Sequence, residues 1–362
     1  MDELEKGYFQ NNDTNPYQQG GGSQNPNGQP PQPPTLNDPP YFWQSIRHDN
    51  MAIACILIAF YFLNTTLQTI IMVLQMFIGG SFDSIVQSLS SGELAFNDYY
   101  DSVMSQVMDL LANIPGGIAI SVIIAEALAL LLFLILRGKR LFTTDITTTA
   151  GKMNFTDFTS LFLIAFSAQF VFSIVSFVVN SILSLFGMSA TSLMEESIRA
   201  LYNPSGFLYI VVFGPIMEEI IFRGAIMRTL EKHGKNYAIV MSSLFFGLFH
   251  VFLLQGAFAF CVGMILGYTA INYSMKWAIL LHILVNGLAT LMDVTLSVWV
   301  QMAIFFAVFV FAIVLLLKNK PRIKESLAKG KPRIKEAYRI AFSGGFLIVT
   351  ICIVIFFGIL LF

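Results

Sequence analysis

Residues 206–230 read GFLYIVVFGPIMEEIIFRGAIMRTL, an apolar stretch interrupted near its centre by two adjacent carboxylates and an arginine. About twenty consecutive apolar residues are enough to cross the hydrocarbon core of a bilayer as one helix. Ionisable side chains at that depth are costly, and they usually mark a functional site. The stretch therefore predicts a membrane helix whose charged residues, Glu218, Glu219 and Arg223, serve a function.

The rest of the chain has the same apolar character. Of its 362 residues, 56% are hydrophobic and only 12% are charged, and its mean hydropathy is +0.69. Because a helix pairs its own backbone polar groups, long apolar blocks predict an all-α, polytopic membrane protein with about nine transmembrane helices. The blocks are 51–78, 115–136, 158–186, 206–230, 237–255, 256–274, 277–296, 298–317 and 343–361.

Residues 1–48 differ from the rest, since they hold eight of the thirteen prolines together with many Gln, Asn and Gly residues. Such a segment buries too little apolar surface to offset the entropy lost on ordering. We predict a disordered tail over 1–48 and a membrane domain over 49–362. The composition fits a solvating leader better than a partner-binding segment.

The Lys and Arg residues of the loops predict the orientation in the membrane. Loop 79–114 has five acidic residues and no Lys or Arg, whereas 137–157 has four basic residues and 318–339 has nine. Cytoplasmic loops are enriched in Lys and Arg, so we expect a multi-pass protein of the cell membrane with a cytoplasmic N-terminus. The basic segment 318–339, which contains KPRIKE twice, either fixes the topology or binds anionic lipid headgroups.

Helical geometry separates the roles of the two adjacent glutamates. On a helix, Arg223 lies about 40° from Glu219 but about 140° from Glu218. We therefore predict a Glu219–Arg223 ion pair, which leaves Glu218 without a local counter-charge and suited to act as a general base or acid. The alternative is that all three charges only hold helices together.

Two further pairs of polar residues lie inside apolar blocks. Phe246 and His250 are four residues apart, as are His282 and Asn286, so each pair occupies one helical face. The chain has only four histidines. Two of them in different membrane helices, beside a helix with a Glu–Glu–Arg cluster, indicate a shared site.

These residues resemble the CPBP family of intramembrane proteases, which includes type II CAAX prenyl endopeptidases, bacteriocin-processing enzymes and immunity-associated relatives. The family pattern is EExxxR, then FxxxH, then HxxxN or HxxxB on successive membrane helices, and this sequence has EExxxR, FxxxH and HxxxN in that order. The resemblance covers about 158–295. It implies hydrolysis of a peptide bond within the membrane.

The resemblance also implies a role for each motif residue. Glu218 with His250 would activate a water molecule, while His282 and Asn286 would stabilise the developing oxyanion. The motifs also imply that Glu219 is one of the catalytic residues and that Arg223 and Phe246 have supporting roles.

The family has been described both as metal-dependent and as glutamate-based. Zinc takes about three protein ligands and a water, and His250, His282 and Glu218 can supply three. The sequence has no HExxH motif, so we favour the glutamate mechanism without a cofactor and keep zinc as the alternative.

Two other functions share some of these features. A non-catalytic scaffold or immunity protein of the same fold would tolerate loss of the polar residues, which are all present here. A proton-coupled transporter also uses membrane carboxylates, but no inverted repeats are visible. We expect a peptide or membrane-protein substrate and no nucleic-acid partner.

The depths of the predicted site residues do not agree. Glu218 and His250 would lie about 18–21 Å from the cytoplasmic face and His282 only about 8 Å from it, at the helical rise per residue. The predicted site therefore depends on whether His282 reaches Glu218.

Overall fold

The computed structural model describes residues 40–78, 117–189, 203–250 and 252–343, together with Thr191, Glu195, Leu201 and Ile351. These residues are 89% helical and contain no strand, so the predicted all-α class is confirmed. The main helices are α1 Pro40–Ile78, α2 Gly117–Ala129, α3 Phe155–Leu183, α4 Pro204–His233, α5 Lys235–Phe249, α6 Leu253–Asn272, α7 Met275–Thr295 and α8 Val298–Ser343.

Seven helices in the described ranges are long and apolar enough to cross a membrane, namely α1 to α4 and α6 to α8. The polytopic membrane class is therefore confirmed, but the predicted number of nine is not. Helix α5 has 15 residues, fewer than the roughly twenty that span a bilayer. The predicted block 343–361 lies almost entirely outside the described residues.

The break between α5 and α6 is not where the sequence predicted it. We expected a turn at Gln255–Gly256, but α5 ends at Phe249 and α6 begins at Leu253. The intervening residue Phe252 has an extended backbone. No charged residue lies near this turn, so hydropathy gave no signal for its position.

Helix α1 begins at Pro40, inside the segment 1–48 that we predicted to be disordered. Proline suits the first turn of a helix because the N–H that it lacks has no intrahelical partner there. Residues 40–48 of the predicted tail are therefore helical, and 1–39 lie outside the described residues. At the other end of the chain, α8 continues through the basic segment 318–339, which is helical.

Glycines allow α5 and α6 to pack with their backbones in contact. A Cβ atom on Gly247 would lie 2.6 Å from the carbonyl oxygen of Gly256, and one on Gly256 would lie 2.7 Å from the carbonyl oxygen of Gly247. Further along α6, Gly263 and Gly267 face α5 side chains closely. Such contacts are typical of small residues between membrane helices, and they place the end of α5 against α6.

Helix α4 changes its winding twice around the glutamates. A π-helical turn, Tyr209–Phe213, precedes the α-helical segment Gly214–Glu219, and a second π-helical segment, Ile220–Met227, follows it. The first π turn lies just before Pro215, which has no N–H to donate. Wide π turns inside α-helices frequently occur at functional sites.

Candidate active site

The charged centre of α4 is a buried ion pair. Arg223 Nη1 lies 3.3 Å from Glu219 Oε1, and the side chains are only 1% and 0% exposed. Arg223 also donates from Nη2 to the carbonyl oxygen of Gly263 at 3.2 Å, and its guanidinium lies 4.5 Å from the centre of the Phe246 ring. The predicted Glu219–Arg223 pair is confirmed, and Arg223 connects α4 to both α5 and α6.

His282 of α7 lies between the two adjacent carboxylates of α4. Its Nδ1 is 3.0 Å from Glu219 Oε1, and its Nε2 is 3.5 Å from Glu218 Oε2. The mismatch in depth estimated from the sequence therefore does not keep these residues apart. Because helix length is fixed by residue number, contact between them means that the ends of α4 and α7 are staggered.

The same contacts constrain the protons of His282. A carboxylate accepts hydrogen bonds, so Nδ1 donates to Glu219 when that carboxylate is ionised. The Nε2 atom can then donate to Glu218 as part of an imidazolium, or accept a proton carried by Glu218. Either way, Glu219 orients the His282 ring towards Glu218.

His250 follows the last residue of α5. Its Nδ1 lies 2.9 Å from the carbonyl oxygen of Phe246. Because a carbonyl only accepts hydrogen bonds, Nδ1 carries the proton, and a neutral His250 presents Nε2 as an acceptor. The Phe246 ring contacts both histidines, with centroid distances of 4.8 Å to His250 and 5.9 Å to His282. Phe246 therefore packs edge-on against both imidazoles.

Asn286 lies one turn beyond His282 on α7. Its Nδ2 donates to the carbonyl oxygen of Ile210 at 3.3 Å. Ile210 belongs to the first π-helical turn of α4. The asparagine therefore links α7 to α4 about two turns before the carboxylates.

A cavity of about 1010 Å³ opens onto these residues. Five of the seven residues that the sequence predicted for the site line its wall, and Glu219 and Arg223 lie behind that wall. The five are Glu218, Phe246, His250, His282 and Asn286. The structure thus brings residues of three separate motifs, from α4, α5 and α7, to one cavity.

Glu126 of α2 lines the same cavity, and the sequence reasoning missed it. The residue is only 4% exposed, and its Oε1 accepts a hydrogen bond of 3.1 Å from the hydroxyl of Tyr209. A signal was present, because Glu126 is the one ionisable residue inside the apolar part of block 115–136. Like the carboxylates of block 206–230, a lone carboxylate in a membrane helix is a candidate functional residue.

The zinc alternative requires three ligands around one point. Across the described ranges, no three His, Cys, Asp or Glu side chains are arranged to hold a metal ion. His282 is engaged with both glutamates instead. The set of His250, His282 and Glu218 is not among such groups in the described residues, and the choice between the two mechanisms stays a prediction.

The fold and the cavity define a polytopic helical membrane protein with a polar site among its helices. Residues 201–288 match the family model described as type II CAAX prenyl endopeptidase Rce1-like. This match contains all three motifs, and it supports the resemblance of this part of the chain to the CPBP family of intramembrane proteases. The family supports an intramembrane endopeptidase in general. No curated protein and no solved structure matches the chain significantly.

Proposed function

We propose that this protein is an intramembrane endopeptidase that hydrolyses a peptide bond of a membrane-associated peptide or protein with a glutamate-activated water. The observation that carries the proposal is the position of His282, which contacts Glu218 and Glu219 at the wall of a cavity that His250 also lines. That position brings the first and third motifs of a protease family to one point. Packing alone does not require so many polar groups in a membrane.

In the proposed reaction, a water molecule lies between Glu218 and His250. Glu218, or the acceptor Nε2 of His250, takes a proton from the water as its oxygen attacks the carbonyl carbon of the scissile peptide bond. The tetrahedral intermediate then collapses, the C–N bond breaks, and the same proton passes to the leaving nitrogen. The products are a carboxylic acid and an amine, and the proton of the acid then passes to the amine or to water.

The oxyanion of the intermediate requires hydrogen-bond donors that are already in position. We assign this role to His282 and Asn286, which lie one turn apart on α7 and line the cavity. Glu219 orients the His282 ring through Nδ1, and Arg223 balances the charge of Glu219. In this assignment, Glu219 acts through His282 as a positioning residue.

The first test compares wild-type protein with Glu218→Gln and His250→Ala, each purified and reconstituted in vesicles. The probes are two fluorogenic peptides of one sequence, with and without a farnesylated CAAX terminus. Loss of a general base lowers a rate by about 10²–10⁴-fold, so both variants should lose at least about a hundredfold in cleavage rate. Glu231→Gln, which changes a carboxylate outside the cavity, is the matched control and should cleave normally.

Cleavage at the wild-type rate by both site variants would refute the proposal. A non-catalytic scaffold or immunity protein, or a transporter, would then fit the same fold better. Adding a strong chelator to the wild-type assay tests the metal-free form of the mechanism separately. We expect the rate to stay unchanged, and a loss that added zinc restores would support the metal-dependent alternative.

A further inference from the structure

The cavity extends well beyond the proposed catalytic residues. On α3, polar side chains recur three or four residues apart, which places them on one helical face towards the cavity. These side chains are Gln169, Ser173, Ser176 and Asn180. The last of them lies three residues before the end of α3 at Leu183.

A second polar row continues along α7. Asn286, Thr290 and Asp293 all line the cavity, and Asp293 lies two residues before the end of α7 at Thr295. From His282 to Asp293 the helix rises by about 16 Å. The cavity therefore runs from the site to one end of the helix bundle. We call this part of the cavity the acidic passage, defined by Ser176, Asn180, Glu195, Thr290 and Asp293.

The charges along the cavity all have one sign. Among the described residues that line it, four are carboxylates and none is Lys or Arg. Glu195 and Asp293 are exposed near the end of the bundle, whereas Glu126 and Glu218 lie deeper. Grooves of one charge with apolar walls concentrate ligands of the opposite charge.

Described basic residues lie at the opposite end of the bundle, where Thr149 pairs with Ser274 just before α7 begins. Segment 137–157 and the link between α4 and α5 both contain Lys or Arg. Neither contributes a residue to the cavity wall. The acidic passage thus opens away from the loops that we predict to be cytoplasmic.

Glu126 provides a second, independent observation about what the cavity binds. Its Oε2 is buried and has no hydrogen-bond partner within the described structure, although Oε1 is bonded to Tyr209. A buried acceptor without a donor costs stability. Glu126 also lines the cavity, so its carboxyl group borders the space that a ligand would occupy.

We propose that the acidic passage receives a cationic peptide segment, with Lys or Arg close to the scissile bond, from the face opposite the basic loops. The proposal rests on the proposed endopeptidase function and names its substrate class. Glu195 and Asp293 attract the basic side chains at the entrance, and Glu126 accepts a hydrogen bond from one of them in the interior. By the charge of the loops, the substrate then arrives from outside the cell.

The test measures binding, so that it does not depend on cleavage. Glu218→Gln protein in phosphatidylcholine nanodiscs is titrated with two fluorescent peptides that share an apolar segment and carry either lysines or glutamates. Because one-sided charge raises the local ligand concentration by at least about tenfold, the lysine peptide should bind at least about tenfold more tightly. High salt should reduce this preference.

Two further variants locate the effect. Adding Glu195→Gln and Asp293→Asn should remove most of the preference for the lysine peptide, whereas adding Glu231→Gln should leave it unchanged. Equal binding of the two peptides, or equal loss with Glu231→Gln, would overturn the proposal. If the lysine peptide binds more tightly but wild-type protein cuts neither it nor the fluorogenic probes, the proposed endopeptidase function is wrong. The proposal that the acidic passage binds cationic peptides then still stands. If peptides of either charge bind and are cut equally, the endopeptidase function is supported and the preference for cationic peptides is refuted.

Discussion

The buried pair of Glu219 and Arg223 leads to a quantitative prediction about stability. Replacing Arg223 with Met keeps an unbranched apolar side chain but removes the guanidinium. Glu219 then lacks its guanidinium counter-ion at 0% exposure and keeps only the contact with His282, and the bond to the Gly263 carbonyl and the contact with Phe246 are lost. Removing one partner of a buried ion pair costs about 3–5 kcal/mol.

The double variant is the informative comparison. Glu219→Gln alone leaves Arg223 buried and unpaired, so it should also destabilise the protein by several kcal/mol, of the order of 3. When both changes are combined, neither position carries a charge that has lost its partner. A neutral pair of similar volume often replaces a buried ion pair with little loss. The double variant should therefore lose less free energy of unfolding than the two single variants lose together, and the difference should be at least about 2 kcal/mol.

Reversible unfolding in mixed micelles, followed by circular dichroism, measures the free energies for this cycle. Leu284→Met changes an exposed position on α7 and serves as the control for expression and purification of a variant. Its free energy of unfolding should differ little from that of wild type. If the loss in the double variant equals the sum of the single losses within about 0.5 kcal/mol, the two side chains are not coupled. The account of Arg223 as the counter-ion of Glu219 would then be wrong.

Three other predictions concern different parts of the molecule. Tyr209→Phe removes the donor to Glu126 and leaves that buried acceptor unpaired, so unfolding by heat in detergent should show a loss of about 1–3 kcal/mol; an unchanged midpoint would contradict the bond. Gly247→Ala puts a methyl group 2.6 Å from a backbone oxygen of α6, so it should destabilise the protein by about 1–3 kcal/mol and slow peptide cleavage, because His250 moves with the end of α5. In a background without native cysteines, a cysteine at Ser297 should react with an impermeant maleimide in intact cells and one at Lys152 should not, and the opposite result would reverse the predicted orientation.

The features that depend on composition or on local spacing could be predicted from the sequence. Long apolar blocks predicted most of the membrane helices, and the four-residue spacing predicted the contact between Glu219 and Arg223. The bridge from His282 to both glutamates was beyond such reasoning, because it depends on the stagger between α4 and α7. A single helix gives no information about the level at which its neighbour begins.

The errors have similar physical causes. The end of α5 was placed too late, because a tight turn without charged residues looks like continuous membrane helix in a hydropathy profile. The contact between Gly247 and Gly256 across that turn depends on tertiary packing. Glu126 was overlooked because it is a lone carboxylate with no motif around it, and only the fold brings Tyr209 beside it.

The shortness of α5 also has a consequence for how the protein is made. Its 15 residues extend about 22 Å, less than the roughly 30 Å of a hydrocarbon core. The last carbonyl groups of the helix would then meet lipid without hydrogen-bond donors, which is strongly unfavourable. During synthesis, α5 should therefore not remain in the bilayer by itself, and it should enter together with α6 as one hairpin. His250 thus reaches its place only after the ribosome has completed the following helix.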